Sequence, residues 1–114
     1  MNENLKFESE LPYEILTGNV HPWNWGSAAE GYTSVTETLR KAMSTNNHLK
    51  IFVANGYYDL ATPFYATEYA LAHMELDETL RNNITMTYYP AGHMMYVQKQ
   101  SLLQLTNDVR KFYV

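Results

Sequence analysis

Apolar and polar positions alternate in three recognisable patterns after about residue 33, and in none before it. The first thirty residues, up to "HPWNWGSAAEGY", have Pro, Gly and Asn spaced through them and no sustained period. They read as loop, with a short strand or turn around residues 13–16. Trp23 and Trp25 are the large apolar groups expected to pack this segment down.

From Ser34 the chain becomes periodic. Ser34 and Glu37 have the spacing of a capping box, and Val35, Leu39, Ala42 and Met43 recur at helical intervals, predicting a helix over 34–45 that stops at "STNN". "LKIFVAN" follows, a short run rich in β-formers with both faces apolar, as in a strand covered on both sides. Asn55-Gly56 is also a hairpin signal. A helical pattern comes next instead of a partner strand, so the hairpin is rejected.

Thr62 is placed as an N-cap and Pro63 as the first helical residue. Phe64, Thr67, Leu71 and Met74 form one face of that helix, and Ala66 and Ala70 would let it approach a sheet closely. The polar stretch "ELDETLRNN" leads into "ITMTYY". There Ile84, Met86 and Tyr88 alternate with Thr85, Thr87 and Tyr89, the pattern of an edge strand with one less buried face. Ser101 and Gln104 make a second capping box, followed by an apolar stripe at Leu102, Leu105, Val109 and Phe112. The order is helix, strand, helix, strand, helix. Two strands joined by a crossover of about thirty residues form a βαβ unit, so they should be parallel and the connection right-handed. The fold class is α/β, with a small sheet flanked by helices.

Composition narrows the function classes. With 114 residues, 46% apolar and 18% charged, the chain is globular in character. Its net charge is −4, and the eight Lys and Arg are scattered, which argues against a phosphate-tracking surface and so against nucleic acid. No apolar run approaches the ~18–20 residues of a membrane span, and no signal-peptide pattern follows Met1. Cellular location stays open. There is no Cys, which excludes disulfides and a cysteine nucleophile. His21, His48, His73 and His93 have no i, i+4 pairing and no Glu at ligand spacing, so no metal site is expected. The five Gly form no phosphate-binding motif, and no cofactor is implied. Glu75, Asp77 and Glu78 read as a solvated helix end partly balanced by Arg81.

The chemistry sits where a parallel sheet presents its C-terminal strand ends. Asp59, in "NGYYDLATP", lies just beyond the first strand, and His93, in "YPAGHMMY", just beyond the second. Adjacent parallel strands are roughly 4.8 Å apart, so the two loops should meet. A carboxylate there could hold one ring N–H and stabilise the imidazolium, leaving the other nitrogen as a base. An isolated loop Asp is also an ordinary turn former, and a lone His an ordinary loop residue. The pairs Tyr57-Tyr58 and Tyr88-Tyr89 could line a pocket beside these residues or fill the strand ends as core.

With "NGYYDLATP" and "AGHMMY" together, the chain resembles the C-terminal part of the serine carboxypeptidase family, within the α/β-hydrolase fold, and bacterial members in particular. The resemblance runs from about residue 33 to 112. In that fold the triad follows the chain order Ser, Asp, His. It implies Asp59 as the triad acid, His93 as general base and later general acid, and Met94 as lining for the leaving C-terminal residue of a peptide substrate. The reaction implied is release of one C-terminal amino acid through an acyl-enzyme.

The family's nucleophile stands in a Gly-x-Ser-x-Gly turn. None of Ser9, Ser27, Ser34, Ser44 and Ser101 has that context, and "NWGSAAEG" only approaches it. Residues 1–114 then read as one partial domain, an irregular segment 1–32 and an α/β-hydrolase portion 33–114, inactive in isolation. An uncovered strand edge should drive homo-oligomer formation. The alternatives are a stand-alone, non-catalytic α/β module that binds peptides or a partner chain, and part of another hydrolase such as an esterase or aminopeptidase.

Overall fold

A computed structural model of the chain describes residues 10–12, 17–26, 31 and 33–113. They fall into two compact units divided between Thr33 and Ser34.

In the first unit the described backbone is irregular apart from one 3₁₀ turn, Gly18–Val20. Thr17 caps it, its hydroxyl accepting from the Asn19 N–H at 3.1 Å. Asn24 does the same for Gly26, whose φ of +56° is a conformation that favours glycine. Trp23 and Trp25, expected to be buried, are both exposed. The turn or strand expected over 13–16 lies outside the described residues.

The second unit is mixed α/β. Its elements are α1 (Thr36–Thr45), β1 (Ile51–Gly56), α2 (Phe64–Ala72), α3 (Glu78–Arg81), β2 (Ile84–Tyr89), a 3₁₀ turn (Met95–Val97) and α4 (Lys99–Phe112). β1 and β2 pair in parallel, from Ile51 opposite Ile84 to Gly56 opposite Tyr89.

Alternation along the strands decides what covers each face. Ile51 and Ile84 turn towards a cluster built on Met43, Met74 and Leu76, which Leu39 of α1, Leu71 of α2 and Leu80 of α3 complete. On the other face Ala54 and Tyr89 meet Ala91, Met95 and Leu105 of α4, and Phe52 packs edge-on against Phe112 at 5.4 Å. The sheet therefore has helices on both sides. Coverage is thinner than the apolar run "LKIFVAN" implied, because Ile51 to Ala54 are only partly buried. With two strands and short helices, too little surface is available to seal both faces.

Several caps differ from the sequence pattern. The Ser34–Glu37 box does not close: α1 starts at Thr36, and both Glu37 oxygens are taken by Arg40 at 2.6 and 2.7 Å. The Ser101–Gln104 box does not close either. α4 begins two residues before Ser101, and Gln98 caps it by accepting the Ser101 N–H at 2.5 Å. Ser101 itself is buried, with its hydroxyl unpartnered. Ala66, expected against the sheet, faces outwards.

"ELDETLRNN" contains the short helix α3, capped by Asp77 through the Thr79 N–H at 2.8 Å. Arg81 turns away from Asp77 and donates to the carbonyls of Leu71 and Ala72 at the end of α2 and to that of Leu76 in the turn beyond it.

Candidate functional site

The ladder ends at Gly56 and Tyr89, and there the loops that follow the two strands come together. The Tyr57 N–H donates to Tyr89 O, and the Tyr58 N–H to Ala91 O, each at 3.0 Å. The first residues of both loops are thus stitched as a continuation of the sheet. A Cβ at Gly56 would lie 2.3 Å from Gly92 O and 2.6 Å from Ala91 O, so only glycine admits this approach. Asn55, whose pairing with Gly56 resembles a hairpin turn, is instead buried, and its side-chain amide donates to Thr87 O at 3.1 Å. The Asn-Gly pair serves packing between strands.

From this junction the β1 loop turns back, the Asp59 N–H donating to Gly56 O at 3.2 Å. Asp59 is carried inwards, with its side chain 6% exposed, while the side chain of His93 on the opposing loop is 64% exposed. His93 Nδ1 lies 2.8 Å from Asp59 Oδ2. The structure thus brings together the two residues that the βαβ order placed on neighbouring loops. The Nε2 side of the ring has no hydrogen-bond partner among the described residues.

Asp59 is held from four directions. Oδ1 accepts the Ala61 and Thr62 N–H groups, both at 2.9 Å. Oδ2 accepts the Thr62 hydroxyl at 2.5 Å and faces His93. The Thr62 hydroxyl, the Thr62 N–H, the histidine and the Ala61 N–H together hold the carboxyl well below the usual carboxylate range, against desolvation, which acts the other way. A carboxylate that stays charged while buried suits a group that must stabilise a neighbouring imidazolium.

Thr62 is the residue that the pattern misassigned. It does not cap α2: the N-cap is Pro63, with no side-chain bond to the helix. Its hydroxyl is committed to Asp59 and stands 3.1 Å from His93 Nδ1. The Asp-x-x-Thr spacing was the available signal, since Asp side chains bond backbone N–H groups two and three residues on.

Of the four paired tyrosines, Tyr89 is the one that fills a strand end as core. Tyr89 is fully buried, and its hydroxyl donates to Asp108 at 3.1 Å. Tyr88 stacks on Tyr57 at 5.6 Å and meets Phe64 edge-on at 5.9 Å. Its hydroxyl donates to Glu68 at 2.6 Å, a bond that with burial pushes the phenol up to about 12. Tyr57 and Tyr58 stay half-exposed or more, and Met94 is also exposed, immediately before the 3₁₀ turn.

Among the described residues no serine shares a hydrogen bond with His93. Ser34 bonds Thr36, and Ser101 is enclosed. Ser9 and Ser27 lie outside the described residues. No group of three or more His, Asp or Glu able to hold a metal ion occurs among the described residues, and no helix there is long and apolar enough to cross a membrane. Comparison of the chain with protein-family models, curated proteins and solved structures finds no match.

Proposed function

We propose that Asp59 and His93 are the acid and base of a serine carboxypeptidase-like site in an α/β-hydrolase fold, with the nucleophilic Ser supplied by polypeptide outside these 114 residues. One observation carries this reading: a buried, four-fold-held carboxylate 2.8 Å from Nδ1 of an exposed histidine, at the C-terminal ends of parallel strands. A purely structural ion pair has no need of an open imidazole, whereas a general base does. His93 Nε2 would take the Ser proton as the hydroxyl attacks the scissile carbonyl. Asp59 would stabilise the imidazolium, and the proton would then pass to the leaving amine. Met94, exposed next to His93, would contact the departing C-terminal residue of a peptide.

No serine of the chain stands in a Gly-x-Ser-x-Gly turn. Loss of a triad nucleophile removes on the order of 10⁶-fold in rate, so the 114 residues alone are expected to be inactive. The test is to extend the coding frame upstream of Met1 and assay the product. A frame that reads back through Gly-x-Ser-x-Gly, and an enzyme that releases C-terminal amino acids from blocked dipeptides, would support the reading. In that enzyme Asp59→Asn should cost about 10⁴-fold in kcat. Peptidase activity from the 114 residues alone, or full activity in His93→Gln, would overturn it. The exposed Tyr57, Tyr58, Tyr65 and Tyr96 favour as a second reading a non-catalytic module that binds a peptide or partner chain. A stop codon immediately upstream would select it.

A further inference from the structure

We propose that Thr62 is a positioning residue whose hydroxyl oxygen is a second acceptor for the Nδ1–H of His93 and thereby locks the ring plane and reinforces the tautomer that Asp59 favours. The argument is a proton count. Asp59 is charged and has no proton to give, so the proton in the 2.5 Å contact between Thr62 Oγ1 and Asp59 Oδ2 belongs to Thr62. A hydroxyl has one proton, and this one is spent. What Oγ1 turns towards His93 Nδ1, 3.1 Å away, is therefore a lone pair. Oδ2 offers another at 2.8 Å. A bare Nδ1 would face two oxygen lone pairs, whereas an N–H is shared between them.

Asp59 alone would favour the same tautomer through a single contact, about which the exposed ring can roll. Two oxygens fix both the proton and the plane. They are themselves fixed, because Asp59 Oδ1 is bonded to the Ala61 and Thr62 N–H groups of the same loop. The seat for the ring is thus built within residues 59–62 and does not depend on the His93 loop. Its use, leaving Nε2 bare and aimed outwards, rests on the acid–base reading above, although the tautomer itself does not.

The experiment is long-range ¹H–¹⁵N correlation of the His93 ring in the ¹⁵N-labelled chain at alkaline pH, with the signals assigned by His93→Gln. Wild type and Thr62→Ser should each give one protonated nitrogen, Nδ1, and one bare nitrogen, Nε2. Thr62→Val should keep Nδ1 as the major protonated nitrogen through Asp59 but admit a measurable fraction of the Nε2–H form, drawing the two shifts part-way together. A protonated Nε2 in wild type would overturn the proposal, as would an unchanged pattern in Thr62→Val. Should the valine variant fail to fold, Thr62→Ala against Thr62→Ser gives the same contrast. Should Thr62→Val and Thr62→Ala both unfold, Thr62→Ser decides alone: it keeps the hydroxyl, so a shift of its proton towards Nε2 would overturn the proposal. A fixed tautomer in a protein with no peptidase activity sinks the catalytic reading alone. An averaged tautomer in an active extended enzyme sinks this one alone.

Discussion

Replacing Gly56 with Ala is the sharpest test of how the site is assembled. The new methyl would lie 2.3 Å from Gly92 O, 2.6 Å from Ala91 O and 2.9 Å from Gly92 C, all backbone atoms that no rotamer change can move aside. Restoring an ordinary contact of about 3.4 Å means separating the end of β1 from residues 91–92 by about 1 Å. The Tyr58 N–H to Ala91 O bond, now 3.0 Å, would then exceed hydrogen-bond range. Overpacking of this kind costs about 1–3 kcal/mol, and the lost bond adds about 1 kcal/mol. The sum is roughly 2–4 kcal/mol, a large part of the stability of a small domain.

Urea unfolding followed by circular dichroism should show the midpoint fall by about 2 M, taking a slope of roughly 1–1.5 kcal/mol/M. The matched control is Gly92→Ala, on the facing loop. Its Cβ would meet only Tyr58 O, at 3.9 Å, so its midpoint should stay within about 0.5 kcal/mol of wild type. Equal midpoints for the two variants would refute the close-approach argument.

Ser101→Ala should stabilise the chain by about 1 kcal/mol in the same assay, because it removes a buried hydroxyl that has no partner. The depressed carboxyl of Asp59 sets a pH dependence. Its folded value lies below the ordinary 3.8, so its contribution is complete above about pH 4 and is lost as pH falls through the folded value. Urea midpoints from pH 6 to about pH 2 should therefore fall less steeply in Asp59→Asn than in wild type, and parallel curves would refute this. The two-stranded sheet and the exposed tyrosines lead us to propose self-association, expected as a mass that rises with concentration in sedimentation equilibrium. A constant monomer mass would count against it.

The elements were legible because their signals are local. Alternation in "ITMTYY" and the apolar run before Asn55 located both strands, and their order implied a parallel pair with Asp59 and His93 on adjacent loops. Cap assignments failed where two partners compete for one side chain. Glu37 has Arg40 three residues away, and an ion pair at that spacing takes the carboxylate that a capping box requires. Spacing pairs Arg81 with Asp77, but two carbonyls at the end of α2 and that of Leu76 hold it instead. Thr62 shows the same limit at the site, since an N-cap position and a partner for Asp59 look identical until the loop is folded. No periodicity separates Tyr89, which is sealed under α4, from Tyr57, which is left open. That distinction depends on which helix crosses which face.

Asp59 and His93 are 34 residues apart in sequence, and every contact between their loops spans a comparable interval. Closing a loop of that length costs on the order of 3 kcal/mol in chain entropy before any contact is made. Residues 59–62 can prefold locally as a turn around the carboxylate, but the histidine arrives only once the parallel strands have paired, which is a slow, non-local event. Every excursion that unzips the ladder therefore dismantles the dyad while sparing its acidic half. Amide deuterium uptake at Tyr58, which is bonded across the gap, should then run in step with the global opening rate, and uptake at Thr62 should run ahead of it.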